Sequence, residues 1–272
     1  MKSSRSSLKN YVQNMTPSPE IFPVPLIHIS ETNSTNNYLQ TLCAQQKVEE
    51  LTTVVADFQT SGRGQRGNSW ESEPLKNLLF SFVLFPDFLE ARCQFLISQI
   101  ISLAIKEELS TYTEDISIKW PNDIVIDGRK VCGILTEMST QIDYINHVTI
   151  GVGINVNLTE FPEEIRETAT SLRLECGHVV KRAPLIAAVM KRFEQNYTVF
   201  LEHGDLSGLK ERYSELLVNK DREVRILGAK EQYNAYALGI NQTGELIVRK
   251  EDGTEEAVYA GEVSVRGVYG YV

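Results

Sequence analysis

Apolar positions along the chain recur with two different periods, and the changes of period divide it into segments. Residues 1–24 are polar, carry Pro17, Pro19 and Pro23, and show no sustained period, which reads as a tail or a lead-in strand. From Leu26 the signal changes. Ile-His-Ile is followed by Ser34-Thr35-Asn36, a cluster of N-capping residue types, and then by Tyr38, Leu39, Leu42 and Cys43 at helical spacing. Residues 52–58 have strand composition, and 78–85 form a second apolar strand ended by Pro86. The stretch 95–109 is apolar almost all round, the mark of a buried helix. Strands are expected around 116–119, over 124–136 with a break at Asp127-Gly128, and over 148–156. Ile186, Val189, Met190, Phe193, Tyr197, Phe200 and Leu201 describe one helical face that stops at Gly204. After a short helix holding Leu209, Tyr213 and Leu216, residues 223–268 become short alternating strands divided at 241–244 and 251–254. The pattern therefore predicts a small barrel appended to a larger α+β domain.

Length and charge narrow this picture. A chain of 272 residues has room for about two domains and a substantial core without staples. Its 27 Lys and Arg against 36 Asp and Glu leave a formal charge of −9, the wrong sign for coating a phosphate backbone, so nucleic acid is not an expected partner. Cys43, Cys93, Cys132 and Cys176 lie far apart, without a CxxC pair or histidines at ligand spacing, and read as reduced thiols rather than a metal site. No apolar run approaches the roughly 18 residues of a spanning helix, and the basic residues at the start have no hydrophobic stretch behind them. No membrane association is expected, and the cytoplasm is the expected location.

Two segments carry candidate chemistry. Gly62-Arg63-Gly64-Gln65-Arg66-Gly67 fits G-x-G-x-x-G after a strand, with Asp87 downstream, but the dinucleotide reading fails on context. A Rossmann turn opens a helix, whereas residues 68–76 include Pro74 and show no apolar stripe before the next strand. What the loop offers is three glycines able to take positive φ and bring N–H groups to a ligand, with two arginines that keep their charge. Trp70 just beyond is suited, as an exposed indole, to cover a purine ring. The second segment, Lys119-Trp120-Pro121-Asn122-Asp123, ends a strand with a lysine able to act as a point charge toward carboxylate or phosphate. Further on, the glycines of Gly151-Val152-Gly153-Ile154-Asn155-Val156-Asn157 permit close approach and its asparagines can donate and accept.

In order and spacing, Ser34-Thr35-Asn36, Gln59 through Gly67 with Trp70, Lys119 through Asp123, Gly133-Ile134-Leu135-Thr136-Glu137, Gly151 through Asn155 and Gly261 through Arg266 resemble the biotin–protein ligase (biotin–[acetyl-CoA-carboxylase] ligase) family, over residues 27–266. The resemblance implies an α+β architecture. Residues 25–216 would be a mixed-sheet catalytic domain like that of class II aminoacyl-tRNA synthetases, and 217–272 a Src-homology-3-like barrel. The polar 1–24 tail is too short for the winged helix of relatives that also act as repressors, so the similarity is to the monofunctional type.

The implied activity is activation of biotin with ATP to biotinyl-adenylate, then transfer to one lysine of a biotin carboxyl carrier domain, with Mg2+ accompanying ATP and no metal ligand assigned. By the same resemblance, Ser34, Thr35, Asn36, Gln59, Arg63, Gly64, Gln65, Lys119, Gly133 and Gly151 belong to the biotin site. Arg63, Arg66, Trp70, Asn155 and Arg266 belong to the ATP site, and Lys119 and Arg63 carry the catalytic charge. Gln65 departs from the family pattern, since many members have arginine there. A homodimer is compatible with the resemblance, because relatives often pair through sheet edges. The rival readings are a lipoate ligase or octanoyl transferase of the same fold, and a DNA-binding biotin sensor.

Overall fold

The computed structural model describes residues 24–272 except 142–143, 229–230, 261–262 and 268–270. The expected tail, apart from Val24, and Gly261 and Glu262 of the last motif therefore lie outside the described residues. In chain order the elements are β1 (Leu26–Thr32), α1 (Thr35–Gln45), β2 (Thr53–Gln59), β3 (Leu78–Leu84), α2 (Phe95–Leu109), β4 (Ile116–Lys119), β5 (Asp123–Ile126), β6 (Arg129–Gln141), β7 (Tyr144–Ile154), α3 (Leu172–Cys176), α4 (Arg182–His203), α5 (Lys210–Glu215), β8 (Arg222–Gly228), β9 (Gln232–Ile240), β10 (Leu246–Arg249), β11 (Glu255–Val258) and β12 (Val263–Gly267). They divide into two compact units. One comprises the described residues up to Ala91, with Cys132–Glu160 and Ser171–Lys191; the other comprises Arg92–Val131, Phe161–Thr170 and Arg192–Val272.

In the first unit the strands run β1-β2-β3-β7-β6. β1 pairs with β2 in parallel, and the other neighbours are antiparallel, so the sheet is mixed. Register partners share a face. Ile27, Val54, Ser81, Gly151 and Leu135 therefore line one side of the sheet, followed on alternate positions by Ile29, Val83, Gly153 and Gly133. Over β1 and β2 this side is apolar and takes the inner face of α1, where Leu39 packs with Val54, Val83, Ile27 and Ile29. At Ser81 on β3, Gly151 and Gly153 on β7 and Gly133 on β6 the same side turns polar or bare. The apolar end holds the helix, and the bare end leaves a site beneath it.

Two local features of this unit were not legible beforehand. The short α3 is capped by the Ser171 hydroxyl, which accepts from the Leu174 N–H at 3.3 Å, and it ends at Gly177 with φ 77°. A buried cation also braces the sheet. Arg182 donates to the Asn77 carbonyl at 2.9 Å and to Asp57 at 3.3 Å, and His28 meets the same carboxylate at 3.1 Å. Burial pushes the Arg182 pKa down to about 10.

In the second unit α2 has the bounds expected of it, and twelve of its fifteen residues are buried. This is why it lacks a polar stripe. It packs on the β4–β5 hairpin, while Asp127 at φ 48° and Gly128 at φ 72° turn the chain out of β5 into β6. Trp120 is core rather than ligand surface. Its indole donates to the Gly244 carbonyl at 3.1 Å, and its backbone N–H donates to the Asn219 side chain. The remaining strands form a fully antiparallel sheet in the order β11-β10-β9-β8-β12.

Candidate functional site

The bare end of the first sheet is built for close approach. Gly133 and Gly153 face each other across β6 and β7, and Gly151 lies two positions along, about 7 Å away. A Cβ at Gly151 would sit 2.3 Å from Asn36 Oδ1, and one at Gly153 would sit 2.5 Å from Trp70 Cε2. The two glycines therefore make room for Asn36 and Trp70, the two groups that the resemblance would place at opposite ends of a ligand. The Trp70 indole is half-buried against Gly153 rather than exposed as expected.

Ser34-Thr35-Asn36 stands at the N-terminus of α1, yet Ser34 makes no side-chain cap. Thr35 and Asn36 instead turn inward and are 3% and 2% exposed. The Thr35 N–H and hydroxyl both donate to Gln59 Oε1, at 2.7 and 3.0 Å. Ser81 Oγ reaches Thr35 Oγ1 at 2.7 Å and Asn36 Oδ1 at 2.6 Å, and the Asn36 amide donates to Glu137 at 2.7 Å. The Thr35 proton is committed to Gln59, so one Ser81 proton serves two acceptors. The cluster has acceptor capacity to spare.

The glycine-arginine loop folds back on itself. Trp70 N–H donates to the Gly62 carbonyl and Gly64 N–H to the Asn68 carbonyl, with a short 3-10 turn over Gln65–Gly67 between them. Of the three glycines only Gly67 takes positive φ, at 79°. Gly62 is required for a different reason, because a Cβ there would lie 2.3 Å from the Trp70 carbonyl. This narrows the reading that all three are able to take positive φ, since only Gly67 does so. It also shows the Gly64 N–H committed within the loop.

Arg63 projects from this loop onto Glu137 and Asn37, each at 2.7 Å. Its charge is thus met by a carboxylate that also holds Asn36. A groove of about 430 Å3 lined by Asn33, Asn37, Tyr38 and neighbours opens beside that contact. Asn155 is buried just beyond β7, whereas both ends of the Asn157 amide are locked onto the Val180 backbone at 2.9 Å, so Asn157 is structural.

In the second unit Lys119 and Asp123 are register partners at the end of the β4–β5 hairpin. Lys119 is 6% exposed. Burial pushes its pKa down to about 8, Asp123 pulls it back up, and Lys130 and Arg266 lower it further. Lys119 and Arg266 are therefore near enough to feel each other. Asp123 pairs with Lys130 at 2.7 Å and accepts from the Tyr271 hydroxyl. Arg66 lies in the 3-10 turn of the loop, and Arg266 is exposed on β12.

Sequence reasoning passed over Ser81, Glu137 as a carboxylate partner, and Tyr271. Ser81 left a signal, as the one polar residue inside the run Leu-Leu-Phe-Ser-Phe-Val-Leu-Phe. Tyr271 left none.

Residues 29–155 match the biotin/lipoate A/B protein ligase family and residues 221–266 match the biotin protein ligase C-terminal domain. The chain belongs to the biotin/lipoate A/B protein ligase family, on the biotin protein ligase side of it. It is 33% identical over 253 residues to the bifunctional ligase/repressor BirA of Bacillus subtilis, covering 90% of this chain and 75% of that one. It is 29% identical over 148 residues to a biotin–[acetyl-CoA-carboxylase] ligase of Mycobacterium tuberculosis, covering 53% of each. Among solved structures, the biotin protein ligase of Aquifex aeolicus in complex with biotin and ATP superposes with a TM-score of 0.78 at 32% identity, covering 89% of this chain and 99% of that one.

Proposed function

We propose that this protein activates biotin with ATP to biotinyl-adenylate and transfers the biotinyl group to one lysine of a biotin carboxyl carrier domain. The observation that carries this reading is the acceptor surplus at Thr35, Asn36 and Ser81, next to a strand stripped to glycine. A cyclic urea presents two N–H donors and one carbonyl, which matches spare acceptors beside a hydroxyl and an amide. Trp70 over Gly153 supports adenine stacking further along the same strand.

In the first step a biotin carboxylate oxygen attacks the α-phosphorus and pyrophosphate leaves. In the second the acceptor amine attacks the acyl carbon, AMP leaves, and the amine loses a proton. No enzyme nucleophile is required, so the protein supplies position and fixed charge. Lys119 is assigned the carboxylate and α-phosphate, Arg63 the loop side of the adenylate, and Asn155, Arg66 and Arg266 the nucleotide. Ser34, Gln59, Gly64, Gln65, Gly133 and Gly151 complete the biotin side. Mg2+ is expected to arrive with ATP. Among the described residues no three His, Cys, Asp or Glu side chains gather into a metal site, and none is assigned to it.

The finer domain reading is a class II synthetase-like domain over 25–216 and a Src-homology-3-like barrel over 217–272. The parallel β1–β2 pair in an otherwise antiparallel sheet, and the C-terminal antiparallel strands, support it. No helix among the described residues is long and apolar enough to cross a membrane, in keeping with the proposed cytoplasmic location.

The test is biotin-dependent ATP–pyrophosphate exchange, followed by transfer of labelled biotin to a carrier domain. Both are expected, and folded protein showing neither refutes the reading. Thermal shift with biotin, lipoate or octanoate, each with ATP, decides the acyl group. Selective stabilisation by lipoate would make the protein a lipoate ligase.

A further inference from the structure

A lysine that must hold an anion needs its charge kept without having it neutralised. Lys119 is in a difficult place for this. It is buried, Lys130 and Arg266 both push its proton off, and its register partner Asp123 is shared with Lys130 at 2.7 Å. A dedicated carboxylate would restore the charge, but a substrate carboxylate would then have to displace it. An aromatic face attracts an ammonium and carries no net charge, so it leaves the cation available.

The structure provides such a face. Lys119 Nζ lies 3.7 Å from the centroid of the Tyr271 ring, and the hydroxyl of the same ring donates to Asp123 Oδ2. We propose that Tyr271 is a positioning residue for adenylate formation, its ring holding the Lys119 ammonium charged and in place while its hydroxyl fixes Asp123. The inference rests on the role given to Lys119 above. The groups that set the balance at Lys119 are Asp123, which favours the charge, and Lys130 and Arg266, which oppose it; Tyr271 adds its ring.

The test exploits the fact that ring fluorination weakens the attractive face of an aromatic with little change in size. Phenylalanine, then phenylalanine carrying one, two and three ring fluorines, is placed at position 271 by nonsense suppression. Two quantities are measured against the Tyr271→Phe reference. They are the Lys119 titration midpoint by 13C NMR, assigned through its loss in Lys119→Met, and kcat and biotin KM for pyrophosphate exchange at pH 8.

The midpoint is expected to step down with each fluorine, by about one pH unit across the series, with kcat falling about fivefold as the charged fraction drops. Biotin KM is expected to move less than kcat. A residue that only fills space would leave both flat, and a flat midpoint, or a kcat that ignores a moving midpoint, overturns the proposal. A midpoint that steps across the series, alongside a wild type unable to exchange pyrophosphate, would instead refute the ligase reading and leave the ring's hold on Lys119 standing.

Discussion

Replacing Lys119 by methionine should strengthen the fold while removing the activity. The folded protein holds this amine at a pKa of about 8 against an ordinary 10.5, with burial as the largest cause. At pH 7 the lysine is charged in both states, and keeping it charged in the folded state costs about 3 kcal/mol relative to the neutral amine, at 1.36 kcal/mol per unit. The sign follows from proton counting. Between the folded and unfolded values the unfolded chain binds more protons, so stability rises with pH and the cost falls by about 2.5 kcal/mol from pH 7 to pH 10. Methionine has a similar reach, carries no charge, and makes favourable sulfur contacts with an aromatic ring such as Tyr271. Asp123 keeps Lys130 and the Tyr271 hydroxyl in the variant. Urea unfolding of both proteins at pH 7 and pH 10 tests this. The advantage of Lys119→Met should be largest at pH 7 and shrink by about 2.5 kcal/mol at pH 10. A difference that does not change with pH, or that grows, refutes the reasoning.

Further outcomes follow from the same geometry. Lys119→Ala and Arg63→Ala should each slow adenylate formation at least about tenfold, from loss of a charge-assisted contact of about 1.5–3 kcal/mol, and near wild-type pyrophosphate exchange in both would refute the role assignment. Gly151→Ala displaces the Asn36 amide and Gly153→Ala displaces the Trp70 indole, so the first should raise the biotin KM and the second the ATP KM, with the tryptophan emission shifting only in the second. Ser81→Ala removes the donor from two buried acceptors and should cost about 1–3 kcal/mol in chemical denaturation while weakening biotin binding. The hydrogen bond to Asp57 raises the His28 pKa, so the stability it adds is present below pH 6.5 and lost as pH rises through the folded value. Against His28→Gln the partly buried pair should show an advantage of about 1 kcal/mol or less at pH 5.5, and none at pH 8.5.

Sequence periodicity determined most of the elements, because burial imposes a period of two on strands and 3.6 on helices wherever one face meets a core. Helix 95–109 kept its bounds, and the break at Asp127-Gly128 became the turn between β5 and β6. The site was legible as a set of residue types. Thr35, Asn36, the glycines, Arg63 and Lys119 stand out in the sequence as site residues, whereas Ser81 and the carboxylate of Glu137 do not.

Tertiary structure decided what each of them does. Ser34-Thr35-Asn36 reads locally as a helix cap, and only the register of β3 and β7 turns Thr35 and Asn36 onto Ser81 and the bare strand. Gly62 reads as a source of backbone freedom and Gly153 as room for a close approach, and both are glycine because Trp70 lies where a Cβ would go. Glu137 meets Arg63 across 74 positions of chain, and Tyr271 meets Asp123 across 148. No periodicity records such pairs. A local pattern encodes which face of an element is buried, whereas the partner that buries it is chosen when distant segments close on one another.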